Sequence, residues 1–274
     1  MSLDPGPHDE TGKVSFDHVY AADDPRPYFR TLRRYDYVVP ALARPHFARL
    51  VEEYRAARGV AVPTVLDVGC SYGVNAALLR CDVTLDELYD RYGAAAGGAP
   101  RGVLVAADRE LVAARARETA VRLVGLDTSA PALAYAVDAG FLDDAVAADL
   151  ESGELTDRQR EQLAGVGLVV STGCIGYVTE KTLLRVVDAV GGRPPWMAHF
   201  CLRMFPYDTI AGQLEDLGYE TVAVGEPLRQ RRFASEREQE LVLGRLAELG
   251  VAEAGESGGW LYARLHISRP AGEG

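Results

Sequence analysis

The sequence predicts an α/β protein: an open, mostly parallel sheet with helices on both faces. Three observations carry that prediction. Val65-Leu66-Asp67-Val68 is an apolar β run that breaks at Gly69 and Gly73 and becomes helix-compatible at Val74-Asn75-Ala76-Ala77-Leu78-Leu79. That order of strand, tight turn and helix places a ligand against backbone N–H groups at a helix N-terminus. Two later strand-like runs, 124–127 and 145–149, also finish on a carboxylate, and ligands of open α/β sheets collect along the carboxyl ends of the strands. Finally, residues 260–267 alternate apolar and polar as a closing strand would.

The bulk properties narrow the function. With 274 residues and 48% hydrophobic content the chain can bury a sizeable core as one large or two unequal domains. A net charge of −11 excludes an extended basic surface, so no nucleic-acid partner is expected. Cys70, Cys81, Cys174 and Cys201 form no C-x-x-C pair, and the five histidines show no metal-ligand spacing. No metal site is therefore expected. There is no signal peptide and no apolar run near the roughly 20 residues of a membrane span, so a reducing cytoplasm is the expected location. The sequence sets no oligomeric state.

In chain order, residues 1–13 read as a disordered tail, rich in Pro, Gly and acidic residues. Residues 14–60 read as an N-terminal helical cap, with helices over 26–35 and 41–58. Its aromatics include Tyr20, Tyr28, Tyr35 and Tyr37. Two compatible readings stand for them: packing of the cap onto the sheet, and a cover over the binding edge that shapes a substrate site and faces a cation with its rings. Residues 61–270 form the main domain, interrupted by an insertion over about 81–119. Within it 85–92 and 109–119 read as helices and 103–106 as a short strand.

The loop after the first strand reads Gly69-x-Ser71-x-Gly73, with no following Lys-Ser/Thr, so it is not a phosphate-binding P-loop. The segment Val65-Leu66-Asp67-Val68-Gly69-Cys70-Ser71-Tyr72-Gly73 resembles motif I of the class I S-adenosylmethionine (SAM)-dependent methyltransferases. Ser71 departs from the usual glycine at the middle position and is small enough to replace it. Val124-Gly125-Leu126-Asp127-Thr128-Ser129 resembles motif II of the same family. The resemblance implies a Rossmann-like seven-stranded class I methyltransferase fold, a three-layer α/β/α sandwich, carrying the N-terminal helical cap. It also implies SAM as cofactor, with Asp67, Gly69, Cys70, Ser71, Gly73 and Asn75 around it. Asp127, beside Thr128, would take the ribose hydroxyls, for which two carboxylate oxygens are suited. The alternative for Asp127, a helix N-cap, is weakened by the helix-start residues that follow it. Asp149 would accept from the adenine amino group, with Leu150 flanking the ring.

Residues 167–172 read as the fourth strand, and the loop after it offers Ser171, Thr172, Cys174 and Tyr177. No D/N-P-P-Y sequence, the mark of members that methylate nucleobases or glutamine, occurs here. Tyr177, Ser171 and Thr172 are the catalytic candidates, placing a ligand rather than ionising. Cys174 is a poor nucleophile candidate because no His lies near it in sequence. A fifth strand over 194–203, a helix over 209–217 and a sixth strand over 220–225 follow. Then comes a basic knot, Leu228-Arg229-Gln230-Arg231-Arg232-Phe233. Arg203, Arg231 and Arg232 either clamp a carboxylate or pair with Glu236, Glu238 and Glu240. A last helix spans 235–249, stopped by Gly250.

The Cys70–Leu79 and Gln230–Phe233 signatures are also similar to a bacterial group labelled only as methyltransferases. The resemblance implies methyl transfer to a small molecule, releasing S-adenosylhomocysteine (SAH). The alternative on the same pocket releases methylthioadenosine, by aminocarboxypropyl transfer or by closure of SAM to azetidine-2-carboxylate. A third reading, of another class, is a SAM-binding sensor or scaffold without turnover.

Overall fold

The structure is a computed structural model describing residues 17–93, 98–118 and 120–273. The expected tail, 1–13, lies outside them. One sheet of seven strands organises the chain: β1 (Thr64–Val68), β2 (Arg122–Asp127), β3 (Asp144–Ala147), β4 (Leu168–Thr172), β5 (Trp196–Leu202), β6 (Tyr219–Arg232) and β7 (Trp260–Pro270). The spatial order is β3-β2-β1-β4-β5-β7-β6. The pairs from β3 to β5 are parallel, and β7 runs antiparallel between β5 and β6. This is the seven-stranded class I methyltransferase fold, and the chain order reverses direction between β1 and β4. At that reversal neighbouring connections leave in opposite directions and open a crevice at the carboxyl ends.

Strands β1, β2, β4 and β5 are buried on both faces, as their near-continuous apolar runs require, while β3 lies at the edge and is partly exposed. Alternate side chains of β1 and β4 divide between two cores. Val65, Leu168 and Val170 meet α3 (Val39–Arg58) and α11 (Glu236–Glu248) through Phe47, Leu50, Val242 and Leu246. Leu66 and Val169 meet α8 (Asp157–Leu163), α9 (Glu180–Val190) and α10 (Asp208–Asp216) through Leu163, Leu183, Val186 and Ile210. The long helix of the cap is thus a layer helix of the sheet, while α1 (Asp17–Tyr20) and α2 (Arg26–Arg34) reach over its edge.

The insertion departs from expectation. Residues 103–106 are not a strand; they lie within helix α6 (Arg101–Arg115), which starts well before residue 109. Val103 is exposed while Leu104, Val105 and Asp108 are buried, a spacing of one, three and four residues that belongs to one face of a helix. A four-residue apolar run does not by itself separate strand from helix. Helices α4 (Val74–Arg80), α5 (Leu85–Tyr92), α6 and α7 (Ala130–Asp138) share an outer core with α2, in which Phe29 stacks on Tyr92 with ring centroids 4.6 Å apart. Asp108 knots these helices together: it accepts from Arg91 at 2.5 Å, from Tyr92 at 2.6 Å and from Tyr135 at 2.5 Å.

The sixth strand also differs. It does not stop at residue 225 but runs through the basic knot to Arg232, with register shifts between Val224 and Leu228 and between Arg229 and Arg231. This extension carries the end of the cap. Val38 N–H donates to the Gln230 carbonyl at 2.8 Å, and Arg232 N–H donates to the Tyr35 carbonyl at 2.7 Å.

Candidate functional site

The loop after β1 is built from alternating left-handed residues: Gly69 at φ +67°, Ser71 at φ +48° and Gly73 at φ +71°. A Cβ on Gly69 would lie 2.6 Å from the Cys174 Cβ, so the position is closed to other residues both by conformation and by space. Ser71 is the surprise, a non-glycine in a conformation that costs an L-residue about 1–2 kcal/mol. Its strain is offset by its N–H, which donates to Asp127 Oδ2 at 2.8 Å. Cys70 is buried beneath the loop, facing Gly125, where a Cβ would meet its sulfur at 2.6 Å.

Asp127, at the end of β2, accepts Ser71 N–H with one oxygen and Ser129 N–H, also at 2.8 Å, with the other. Burial raises its carboxyl above the ordinary value, against the pull of the N–H groups of Ser129, Ser71 and Thr128. The cap of the next helix is Ser129, whose Oγ accepts from Ala132 N–H. Asp127 is therefore not the N-cap, and its carboxylate retains acceptor capacity beyond these N–H groups.

Asp67 lies deeper on β1. Oδ1 accepts from Asn75 Nδ2 at 3.0 Å, and the same amide donates to Thr172 Oγ1 at 3.0 Å, so β1, α4 and β4 meet in one chain of polar contacts. Burial pushes the Asp67 carboxyl up to about 7, with the negative Asp127 adding to the shift and Asn75 opposing it. Thr172 in turn hydrogen-bonds Tyr37 from the cap, whose phenol burial holds above its ordinary value. Gly173, at φ +76°, leaves room for both neighbours: a Cβ there would lie 3.4 Å from the Tyr37 hydroxyl and 3.1 Å from Gln230 Nε2.

The remaining predicted residues separate. Asp149 is exposed and folded back on its own loop, accepting from Glu151 N–H at 3.0 Å and Ser152 Oγ at 2.6 Å, which lowers its carboxyl below the ordinary value. Leu150 is buried among the core side chains below β3. Ser171 points to the face opposite Thr172, because neighbours on a strand alternate, and shares a 2.8 Å hydrogen bond with His199 Nδ1 inside the sheet. Tyr177 is 43% exposed beyond the loop. Cys174 donates to the Val68 carbonyl at 3.3 Å, and burial pushes its thiol up to about 12.

The cap tyrosines divide in the same way. Tyr28 packs edge-on against Tyr72, with centroids 5.6 Å apart, and the Tyr72 hydroxyl donates to the Ala22 carbonyl at 2.7 Å. Tyr20 lends its carbonyl to Ser129 Oγ at 2.6 Å. Tyr35 anchors the cap to β6 through its carbonyl, and Tyr37 carries its side chain to Thr172 at the tip of β4. The three arginines form no common clamp. Arg203 pairs with Glu256 at 2.6 Å, Arg231 with Glu238 in a buried two-pronged bridge of 2.6 and 2.9 Å, and Arg232 with Asp36 at 2.7 Å. Of the expected glutamate partners the structure uses Glu238. Tyr72 and Gln230 are the members that sequence reasoning missed. Tyr72 lies within the motif itself, and Gln230 within the basic knot, where its charged neighbours drew attention.

Three buried polar atoms at this edge have no partner among the described residues: Asp67 Oδ2, Ser71 Oγ and Gln230 Oε1. Leaving such atoms dry costs about 1–3 kcal/mol each, and a ligand with N–H or O–H groups would satisfy them. The residues thus fit a cofactor that presents hydroxyls at β2 and an ammonium group at β1 and β4. Among the described residues no group of His, Cys, Asp and Glu could hold a metal ion, and no helix is long and apolar enough to cross a membrane.

Among solved structures, the chain is similar to the 4+2 cyclase SpnF, with 15% identity and a TM-score of 0.42 over 82% of this chain and 81% of that one. It is also similar to the plantazolicin methyltransferase BpumL in complex with SAH, with 11% identity and a TM-score of 0.41 over 93% and 96%. The magnesium protoporphyrin IX methyltransferase of Synechocystis with bound SAM shares 12% identity, with a TM-score of 0.37 over 82% and 78%. No protein-family model matches the sequence, and no curated protein matches it.

Proposed function

We propose that this protein is a SAM-dependent transferase that methylates a small molecule and releases SAH. One observation carries the reading: at the reversal of the sheet, a glycine-freed loop, the buried Asp67, the half-buried Asp127 and the unpartnered Asp67 Oδ2 and Ser71 Oγ converge on one edge. Asp127 would bind the two ribose hydroxyls with its remaining lone pairs, and Asp67, with Asn75 holding its orientation, would face the amino-acid end. Asp149 would turn toward the adenine amino group, at the expense of its present contact with Ser152. Leu150, buried below, would hold that loop in place. When bound, SAM supplies a carbon made electrophilic by its sulfonium.

The groups at the tip of β4 do not ionise near neutral pH. Cys174 stays a thiol and Tyr37 a phenol, so these two contribute positioning and exclusion of water rather than a base. A second reading, displacement at the aminocarboxypropyl carbon with release of methylthioadenosine, is favoured by one feature: the cap itself delivers Tyr37 to the reacting end beside Thr172 and Gly173.

Incubating the purified protein with SAM alone, and then with candidate acceptors, decides between them by product analysis. Intact SAM until an acceptor is added, followed by SAH, supports methyl transfer. Methylthioadenosine without an acceptor supports ring closure and overturns methyl transfer. Binding of SAM with no turnover under either condition would mark a sensor.

A further inference from the structure

We propose that Gln230 is a specificity-determining residue of this site, its free amide oxygen accepting a hydrogen bond from the amino group of the SAM amino-acid tail. The assignment rests on the SAM reading above and adds to it a residue from the far side of the sheet.

The backbone brings Gln230 there deliberately. On β6, Arg229 pairs with Tyr262 and Arg231 with Leu261, so Gln230 is the extra residue of a β-bulge. Bulges turn a side chain out of the alternation of the strand and are common beside binding sites. Here the bulge is fixed from both sides. The Gln230 carbonyl accepts Val38 N–H at 2.8 Å, Arg232 N–H reaches the Tyr35 carbonyl at 2.7 Å, and Arg231 is locked by Glu238. The side chain is buried and lies against Gly173, where a Cβ would stand 3.1 Å from Nε2. Tyr37 lines the same spot. Oε1 has no partner among the described residues.

A buried oxygen of this kind calls for a donor. SAM has three kinds of donor: the adenine amino group, the ribose hydroxyls and the amino group of its tail. In the proposed function Asp149, in the loop after β3, and Asp127, at the end of β2, take the first two. Gln230 stands at the opposite side, past β1 and against the tip of β4, where the unpartnered Asp67 Oδ2 also favours a positive group. The amino group is the donor left over, and it belongs at that end.

The test is calorimetric titration of wild type, Gln230→Leu and Gln230→Glu with SAH and with methylthioadenosine, which has the same nucleoside and no amino-acid tail. Gln230→Leu should bind SAH about tenfold more weakly, the loss of one hydrogen bond to a charged group, and methylthioadenosine as wild type does. Gln230→Glu, which keeps the acceptor, should hold SAH at least as well as wild type. Equal SAH affinity in Gln230→Leu and wild type would overturn the assignment. So would a loss shared by both ligands, or a Gln230→Glu variant as weak as Gln230→Leu, since a carboxylate repels the tail's own carboxylate. Failure of wild type to bind SAH would sink the cofactor reading itself, and is recognised before any variant is compared.

Discussion

Asp108 and Asp67 are both buried carboxylates, and the protein surrounds them in opposite ways. Asp108 has every oxygen engaged: Arg91 holds one, and Tyr92 and Tyr135 share the other. Its carboxylate is satisfied without a ligand, and it ties the insertion to the helix that follows β2. Asp67 has one amide on one oxygen and nothing on the other. The half-satisfied carboxylate is the one that a bound donor would complete, which is the part the proposed function gives it. The contrast sets a cluster closed on itself beside one with an acceptor to spare.

The largest expected effect lies on the structural side. Asp108→Ala strands two buried tyrosine hydroxyls and a half-covered guanidinium, and should cost about 3–5 kcal/mol in urea unfolding. If the cost is under about 1 kcal/mol, the cluster is ornamental and the contrast fails. Next comes the edge itself. Asp127→Ala should weaken SAH binding by about 1–3 kcal/mol by calorimetry, and unchanged affinity would place the ribose elsewhere. Gly173→Ala forces a side chain into a left-handed position and toward Gln230 and Tyr37; about 1–2 kcal/mol of stability should be lost, seen as a lower Tm.

The pH dependence is the effect most diagnostic of Asp67. Its folded pKa, about 7, stands above its ordinary value of 3.8. Below about pH 4 the group is protonated whether the chain is folded or not. Between there and about pH 7 the folded protein retains a proton that the unfolded chain has released, so this group's contribution to stability is lost as pH rises through that window. Asp67→Asn removes the effect. Its Tm should match wild type near pH 4 and exceed it near pH 8, and a constant difference across the range would contradict the burial argument.

Much of the fold was legible because it is local. The apolar runs at 65–68 and 168–172 are long enough, and close enough to glycine turns, to declare strands in order, and the alternation at 260–267 marked the antiparallel strand. The helix through residue 103 was misread because Val103, Leu104, Val105 and Ala106 fit either period, and only the burial of Asp108 below them settles it. The site was half legible. Asp67 and Asp127 stand at strand ends that the sequence marks. Gln230 and Tyr37 reach the same place only through pairing of the cap with a bulged strand almost two hundred residues away, and no spacing records that. Of the two readings of the arginines, pairing with a nearby glutamate holds for Arg231, whose partner Glu238 is seven residues away on α11, while the burial that commits the pair is tertiary.

A crystal structure of the protein grown with SAH tests the central claim most directly. SAH should lie across the carboxyl ends of β1 to β4, with its ribose on Asp127 and its tail toward Asp67 and Gln230. SAH bound anywhere else, or an edge left bare at saturating ligand, would contradict it.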